Sequence, residues 1–263
     1  MRAGLIVILF LALLAGLVLI VVQPGQQDPS PEPTDPAIAL LAGARVELLG
    51  QPRSPSSGRA PLAAARKHLS AGRPERAREL ILGELEGAWS AEAYYLLGIL
   101  ESRARLWQRA VEALERSLVP GARYPEKSIA PFRLGRALEE TGRIPAARVA
   151  YRLDHDLSGD GEALFRLGLL DIEAGQFAQA KTRLEDALRR FTQGPDRART
   201  LAALSDICLE GDDLAGARQL LEEAVALRPH SELLHRLARV CRRMGDGEAA
   251  DRHTLAAQGL QGG

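Results

Sequence analysis

Side chains able to move protons, attack a carbonyl or ligate a metal are sparse in this chain, and their spacing works against each of those uses. His230 and His235 stand five positions apart, about 140° around a helix, so they share no face on which one metal ion would draw both in. Cys208 and Cys241 are the two cysteines of the sequence, too few for a disulfide framework and too widely spaced for a zinc knuckle. The adjacent carboxylates Glu139-Glu140 and Glu222-Glu223 read as solvated helix surface rather than as an acid/base couple. No Gly-x-Ser-x-Gly elbow, phosphate loop or dinucleotide fingerprint is present. The expectation is a protein that is not an enzyme, holds no metal or cofactor and takes no small-molecule substrate.

Composition narrows the remaining classes. Of 263 residues, 46% are hydrophobic and 26% charged, the balance of a folded chain. Lysine plus arginine equals aspartate plus glutamate at 34 each, so no global field points toward nucleic acid. Aromatic residues are only 4%, too few to supply an array of base-stacking platforms.

Residues 3–22 carry no charged or strongly polar side chain, and 20 residues at a helical rise span about 30 Å, the thickness of a bilayer's hydrocarbon core. The expectation is therefore a transmembrane anchor over residues 1–22. A cleaved signal peptide is the competing reading, though the run is long for one and lacks a small-x-small cleavage site. Arg2 precedes the run while Asp28, Glu32 and Asp35 follow it, which favours a cytoplasmic amino terminus with the rest of a single-pass protein outside, in a periplasm or equivalent. Residues 23–58 read as a stalk and linker, with Pro24, Pro29, Pro31, Pro33 and Pro36 favouring extended chain. Within it, residues 37–49 suit a short apolar helix against the membrane or the first repeat.

Helix-length segments separated by Gly, Pro and Asp fill the rest of the chain, and they repeat. A small residue recurs at Ala65, Gly98, Gly135, Gly168, Ser205 and Ala238, at spacings that alternate between 33 and 37. An alanine follows each after twelve residues, at Ala77, Ala110, Ala147, Ala180, Ala217 and Ala250. Between the two landmarks lies a break, at Gly72, Arg105, Gly142, Gly175, Asp212 and Gly245. Antiparallel helices approach closely only where side chains are small, so each unit is expected to be a helical hairpin. The four extra residues of the longer spacing fall near Pro120-Gly121-Ala122 and Gln193-Gly194-Pro195, and are expected to lengthen connections between paired repeats.

This pattern resembles the tetratricopeptide repeat, which places Leu-Gly in its first helix, then Gly-x-aromatic and Ala in its second. The clearest copy spans residues 91–118, with Tyr94, Leu97, Gly98, Trp107, Ala110 and Leu114 in register, and the fifth copy closes on Ala224 and Pro229. The outer copies depart from it, with Glu84 at a usually small position and Gly247 at the aromatic one. The fold expected is all-α: a right-handed α-solenoid of about six hairpins, residues 59–90, 91–124, 128–160, 161–194, 198–230 and 231–260, in a domain covering 59–260 and preceded by the transmembrane helix. Cys208 and Cys241 occupy equivalent places in the last two first helices. Stacked helices lie about 8–10 Å apart, beyond disulfide reach, so both thiols are expected free and buried.

What the resemblance implies about function is a membrane-anchored scaffold or adaptor that binds a protein or peptide partner, of unknown identity, through a concave groove lined by first helices. A chaperone-like assembly factor for an envelope enzyme complex, such as cytochrome maturation or translocon-associated folding, is the alternative. Carried over from the family, the groove positions are Tyr95, Phe132 and Phe165, then Ile99, Leu169 and Ile172, with Arg136 at the place of Ile99 in the third repeat. Arg239, Arg242 and Arg243 would give the groove a basic end, suiting a partner with apolar anchors followed by acidic groups. The Lys and Asn residues that clamp a terminal carboxylate in chaperone-binding members of the family are absent.

Overall fold

The computed structural model describes residues 35–49 and 60–260, and among these the regular structure is helical throughout. A first helix, α1 (Pro36–Leu49), precedes six hairpins: α2 (Ala60–Ser70) with α3 (Pro74–Leu82), α4 (Ser90–Arg103) with α5 (Trp107–Ser117), α6 (Ala130–Glu140) with α7 (Ile144–Ser158), α8 (Gly161–Glu173) with α9 (Phe177–Arg190), α10 (Gly194–Glu210) with α11 (Leu214–Leu227), and α12 (Ser231–Arg243) with α13 (Gly247–Gly259). Each hairpin packs on the next, as in an α-solenoid.

The recurring small residue permits the close crossing inside each hairpin. A Cβ added at Gly98 would stand 2.6 Å from Leu114 Cγ, at Gly168 it would stand 2.7 Å from Leu184 Cγ, and at Gly135 2.9 Å from the Tyr151 ring. The partner alanines Ala77, Ala110, Ala147, Ala180, Ala217 and Ala250 are all fully buried. Each first helix ends in the same turn, whose residue at Gly72, Arg105, Gly142, Gly175, Asp212 or Gly245 has φ between 57° and 81°. The amide of the following residue then bonds back to the carbonyl five positions earlier, from Arg73 to His68 through Asp246 to Cys241, at 2.8–2.9 Å in all six turns. This is the Schellman arrangement, which satisfies carbonyls a helix end would leave open.

The two four-residue insertions are absorbed differently. The first forms an irregular connection after α5 that ends in a short 3-10 turn, Lys127–Ile129. The second does not lengthen a connection: it adds a helical turn at the start of α10, which reaches 17 residues, with Pro195 in its first turn where a missing amide hydrogen costs nothing.

Helix α1 packs on α7 of the third hairpin rather than on the first repeat. Ala37, Leu41 and Ala44, spaced to share one face, are at most 3% exposed. Polar ties flank that face: Arg143 Nε donates to Asp35 at 3.0 Å, Lys127 Nζ to Glu47 at 2.8 Å, and the amide of Gly121 to Glu47 at 3.0 Å.

The expectation of a single-pass membrane protein is corrected. Among the described residues no helix is long and apolar enough to cross a membrane. Their apolar side chains are spent on neighbouring helices, and even α10 carries Asp196, Arg197, Arg199 and Asp206 along its length. Residues 3–22, on which that expectation rested, lie outside the described residues, as does the proline-rich run up to residue 34.

Candidate partner-binding face

The side chains that the pattern assigns to a groove belong to the first helices α4, α6, α8 and α12, and the structure divides them by depth. Tyr95 and Phe165 are buried, at 3% and 6% exposure, and Phe132 is half-buried. Each ring meets another: Tyr95 lies 5.4 Å from the ring of Tyr124, Phe132 5.6 Å from Tyr151, and Phe165 6.4 Å from Phe191. The Arg199 guanidinium covers the Phe165 ring at 4.3 Å, closing the seam between the fourth and fifth hairpins. These aromatic positions therefore pack against the following helix or connection. Ile99, Leu169 and Ile172 are half-buried, resting on the core below them. Arg239, Arg242 and Arg243 are exposed, with Arg243 Nη2 donating to Asp212 at 2.9 Å.

Charged side chains on the first helices are mostly matched between hairpins, which the sequence reading did not anticipate. Arg66 reaches Glu92 and Glu126, both at 2.6 Å. Burial alone would lower the Arg66 guanidinium, but its hydrogen bonds to Glu126 and Glu92 outweigh that and hold it above its ordinary value. Glu139 accepts from the Tyr151 hydroxyl and lies 3.6 Å from Arg166. Glu162 takes Arg199, and Asp206 takes Arg236. Burial raises the Asp206 carboxyl, opposed by the Arg236 guanidinium beside it. One seam differs. Between the second and third hairpins, a cavity of about 240 Å³ is lined by Ile99, Ser102, Arg103, Trp107, Arg133 and Arg136, with no carboxylate in its wall.

A second set of ion pairs lies deeper. Glu101 of α4 accepts from Arg78 of α3 at 2.7 Å, and Asp171 of α8 accepts from Arg148 of α7 and Arg183 of α9. Glu101 and Asp171 are 3% and 0% exposed. Both sit three residues after the small residue, where His68, Leu138, Cys208 and Cys241 stand in the other hairpins, and the shared register is the signal that would have found them. Cys208 is half-buried, Cys241 is buried, and both are free. His230 caps α12, its Nδ1 accepting from the Glu232 amide at 3.4 Å. Among the described residues no three His, Cys, Asp or Glu side chains converge as metal ligands would.

With the geometry in place, comparison with known proteins identifies the repeat. A tetratricopeptide repeat family model matches residues 62–125 and 165–232, about half of the chain. No curated protein sequence matches. Among solved structures, PilF of Pseudomonas aeruginosa superposes with a TM-score of 0.62 at 19% identity, covering 84% of this chain and 98% of that one. MamA from Desulfovibrio magneticus RS-1, residue 41 to its end, gives a TM-score of 0.54 at 20% identity over 65% of this chain and 94% of that one. YrrB, described as a TPR protein with an unusual peptide-binding site, gives 0.54 at 20% identity over 64% and 85%. At these identities the likeness is one of fold.

Proposed function

The chain belongs to the tetratricopeptide-repeat family, and from that premise we propose that it is a protein-interaction scaffold whose first-helix face receives a peptide segment or a helix of a partner protein. The observation that carries this reading is the run of half-buried apolar side chains on that face: Ile99 on α4 and Leu169 at the same register on α8, with Phe132 on α6 four residues before that register and Ile172 three residues after it. An apolar stripe bordered by charged residues is the surface on which amphipathic or extended segments dock. Tyr95 and Phe165 serve it from beneath, fixing the spacing of successive first helices through their ring contacts with Tyr124 and Phe191. Arg239, Arg242 and Arg243 extend the face with positive charge at the sixth hairpin. The solved structure described as having a peptide-binding site on the same fold supports the kind of partner. No reaction is assigned, since this face presents packing and charge rather than an acid, base or nucleophile set.

A photo-crosslinking amino acid placed singly at Ile99, Arg136 and Leu169, and as controls at Gln108 and Gln219 on exposed second-helix surface, tests this in cells. Covalent partner adducts are expected from the first three positions and not from the controls. Adducts from the second-helix positions alone would overturn the reading.

A further inference from the structure

We propose that the cavity between the second and third hairpins is an acid-recognition site, where Arg103, Arg133 and Arg136 hold the side-chain carboxylates of a partner peptide that flank an aliphatic or aromatic residue. This rests on the reading that the first-helix face binds a partner, and it names the chemistry of what is bound there.

Three guanidiniums border this cavity and no acid lines it. Arg103 donates through Nη1 to the carbonyl of Leu69, and Arg133 lies beside the Tyr95 hydroxyl, but among the described residues neither they nor Arg136 pairs with a carboxylate within 4.0 Å. Elsewhere on the same face the acids are supplied. Arg66 has Glu92 and Glu126, Arg166 has Glu139 and Glu162, Arg199 has Glu162 and Asp196, and Arg236 has Asp206. Most acids nearest in sequence are engaged elsewhere: Glu101 by Arg78, Glu126 by two bonds from Arg66, and Glu139 by Tyr151 and Arg166; Glu140, exposed four residues after Arg136, does not line the cavity. A second cavity, of about 250 Å³ between the last two hairpins, also has arginines in its wall, yet Glu232 lines it and Arg199 and Arg236 are spent on Glu162 and Asp206. At the sixth hairpin Arg239, Arg242 and Arg243 are exposed, and Arg243 is already on Asp212. Among the described residues, the cavity between the second and third hairpins thus has arginine in its wall and no carboxylate, unlike the cavity between the last two hairpins.

The shape of the site selects the ligand. Like charges gathered beside one cavity repel, and an incoming anion relieves that repulsion while gaining charge-assisted, forked hydrogen bonds. Three guanidiniums call for more than one carboxylate. Ile99 and the half-buried Trp107 form the apolar part of the wall, which calls for an apolar side chain between the acids. At about 240 Å³ the space is smaller than the 300–1,000 Å³ usual for small-molecule and cofactor sites, and suits side chains of a peptide. An extended polyanion such as a nucleic acid is disfavoured because the charge does not continue: the neighbouring seams are internally neutralised.

Selection from two random-peptide libraries tests the proposal on the full chain, one library tethered at its carboxyl terminus and one displaying it free. Peptides enriched from the tethered library are expected to carry Asp or Glu on both sides of an aliphatic or aromatic residue. A synthetic copy of one should bind about tenfold or more weakly to R133A/R136A, with helicity unchanged, and Gln in place of its acids should do the same to the native protein. R133K/R136K should restore part of the affinity, keeping charge without the fork. Enrichment of neutral or basic peptides, enrichment in the free-terminus library alone, preference for phosphoserine over Glu, or equal affinity for R133A/R136A would each overturn this site while leaving the scaffold reading standing. Failure of both libraries to enrich anything would overturn both readings.

Discussion

Arg148 of the third hairpin donates to Asp171 of the fourth across the seam between α7 and α8, and the carboxylate it reaches is fully buried. Arg148 also donates to the Leu170 carbonyl at 2.8 Å, and Arg183 bonds the other oxygen of Asp171. Arg78 and Glu101 repeat the relationship at the first seam, again 23 residues apart. Removing one partner of such a pair strands a charge away from water, at a cost of about 3–5 kcal/mol, whereas replacing both by apolar groups is often close to neutral. Arg148→Met leaves Asp171 with Arg183 as its remaining cation and is expected to destabilise by about 2 kcal/mol; Arg148→Met with Asp171→Leu, which takes that carboxylate from Arg183 as well, is still expected to cost less than the sum of the single changes. Urea unfolding of the four proteins measures this, and an Arg148→Met midpoint equal to the parent would count against it.

The repeat was legible because its landmarks are governed by local rules. A small residue where two helices cross, an alanine opposite and a turn that demands positive φ all recur at fixed spacing, so Gly98, Ala110 and Arg105 could be placed without knowing any long-range contact. The depth of Tyr95, Phe132 and Phe165 was not legible, because whether a ring on a first helix faces a groove or the next hairpin depends on what the following connection supplies. Here Tyr124 and Phe191 come back to meet Tyr95 and Phe165, while Phe132 meets Tyr151 of its own hairpin. The site of α1 was hidden for a related reason: Asp35 and Arg143 are 108 residues apart, and only tertiary packing brings them together.

Asp154 carries a dependence on pH. It lies on α7 at a register where Ala187, Ala224 and Ala257 stand in later hairpins, is 1% exposed, and its Oδ1 has no hydrogen-bond partner. Burial first, then the neighbouring charge of Asp160 and Glu162 against a hydrogen bond with Ser158 and the charge of Arg133, pushes its carboxyl up to about 7. The unfolded chain has an ordinary value near 3.9. Between those two values the folded state holds the extra proton, so the stability contributed by this group is full below about pH 4 and falls as pH rises to about 7. Asp154→Asn should match the parent near pH 4 and exceed it by a few kcal/mol, roughly 3, at pH 8. Denaturant titrations at the two pH values check this, and an unchanged difference between them would count against it.

Glu47 joins α1 to the second and third hairpins by accepting from Lys127, which is 6% exposed, and from the Gly121 amide. Glu47→Ala leaves Lys127 with the Ala122 carbonyl as the acceptor still in place at 2.7 Å. A destabilisation of about 2 kcal/mol is expected from a buried cation so deprived. Because the loss is local, amide hydrogen exchange should quicken over residues 119–129 while α12 and α13 keep their protection. Uniform acceleration through all hairpins would show that the tie is not local.

The turn after each first helix separates backbone strain from side-chain packing. Four of the six residues with positive φ in these turns are glycines, while Arg105 and Asp212 adopt φ of 57° and 58°. A side chain in this region costs about 1 kcal/mol relative to glycine, less for Asp than for most residues. Arg105 is exposed and makes no ion pair among the described residues. Asp212 accepts from Arg243, but both side chains are more than half exposed, so that pair contributes little. Arg105→Gly should stabilise by up to about 0.5 kcal/mol after the added freedom of the unfolded chain is counted, and Asp212→Gly by less. Gly175→Ala, at φ 70° with nothing within 4 Å of the added Cβ, should lose about 1 kcal/mol through the backbone alone. Thermal unfolding of the three variants should therefore rank Arg105→Gly above the parent and Gly175→Ala below it, and the reverse order would mean that side-chain contacts, not φ, set the stability of these turns.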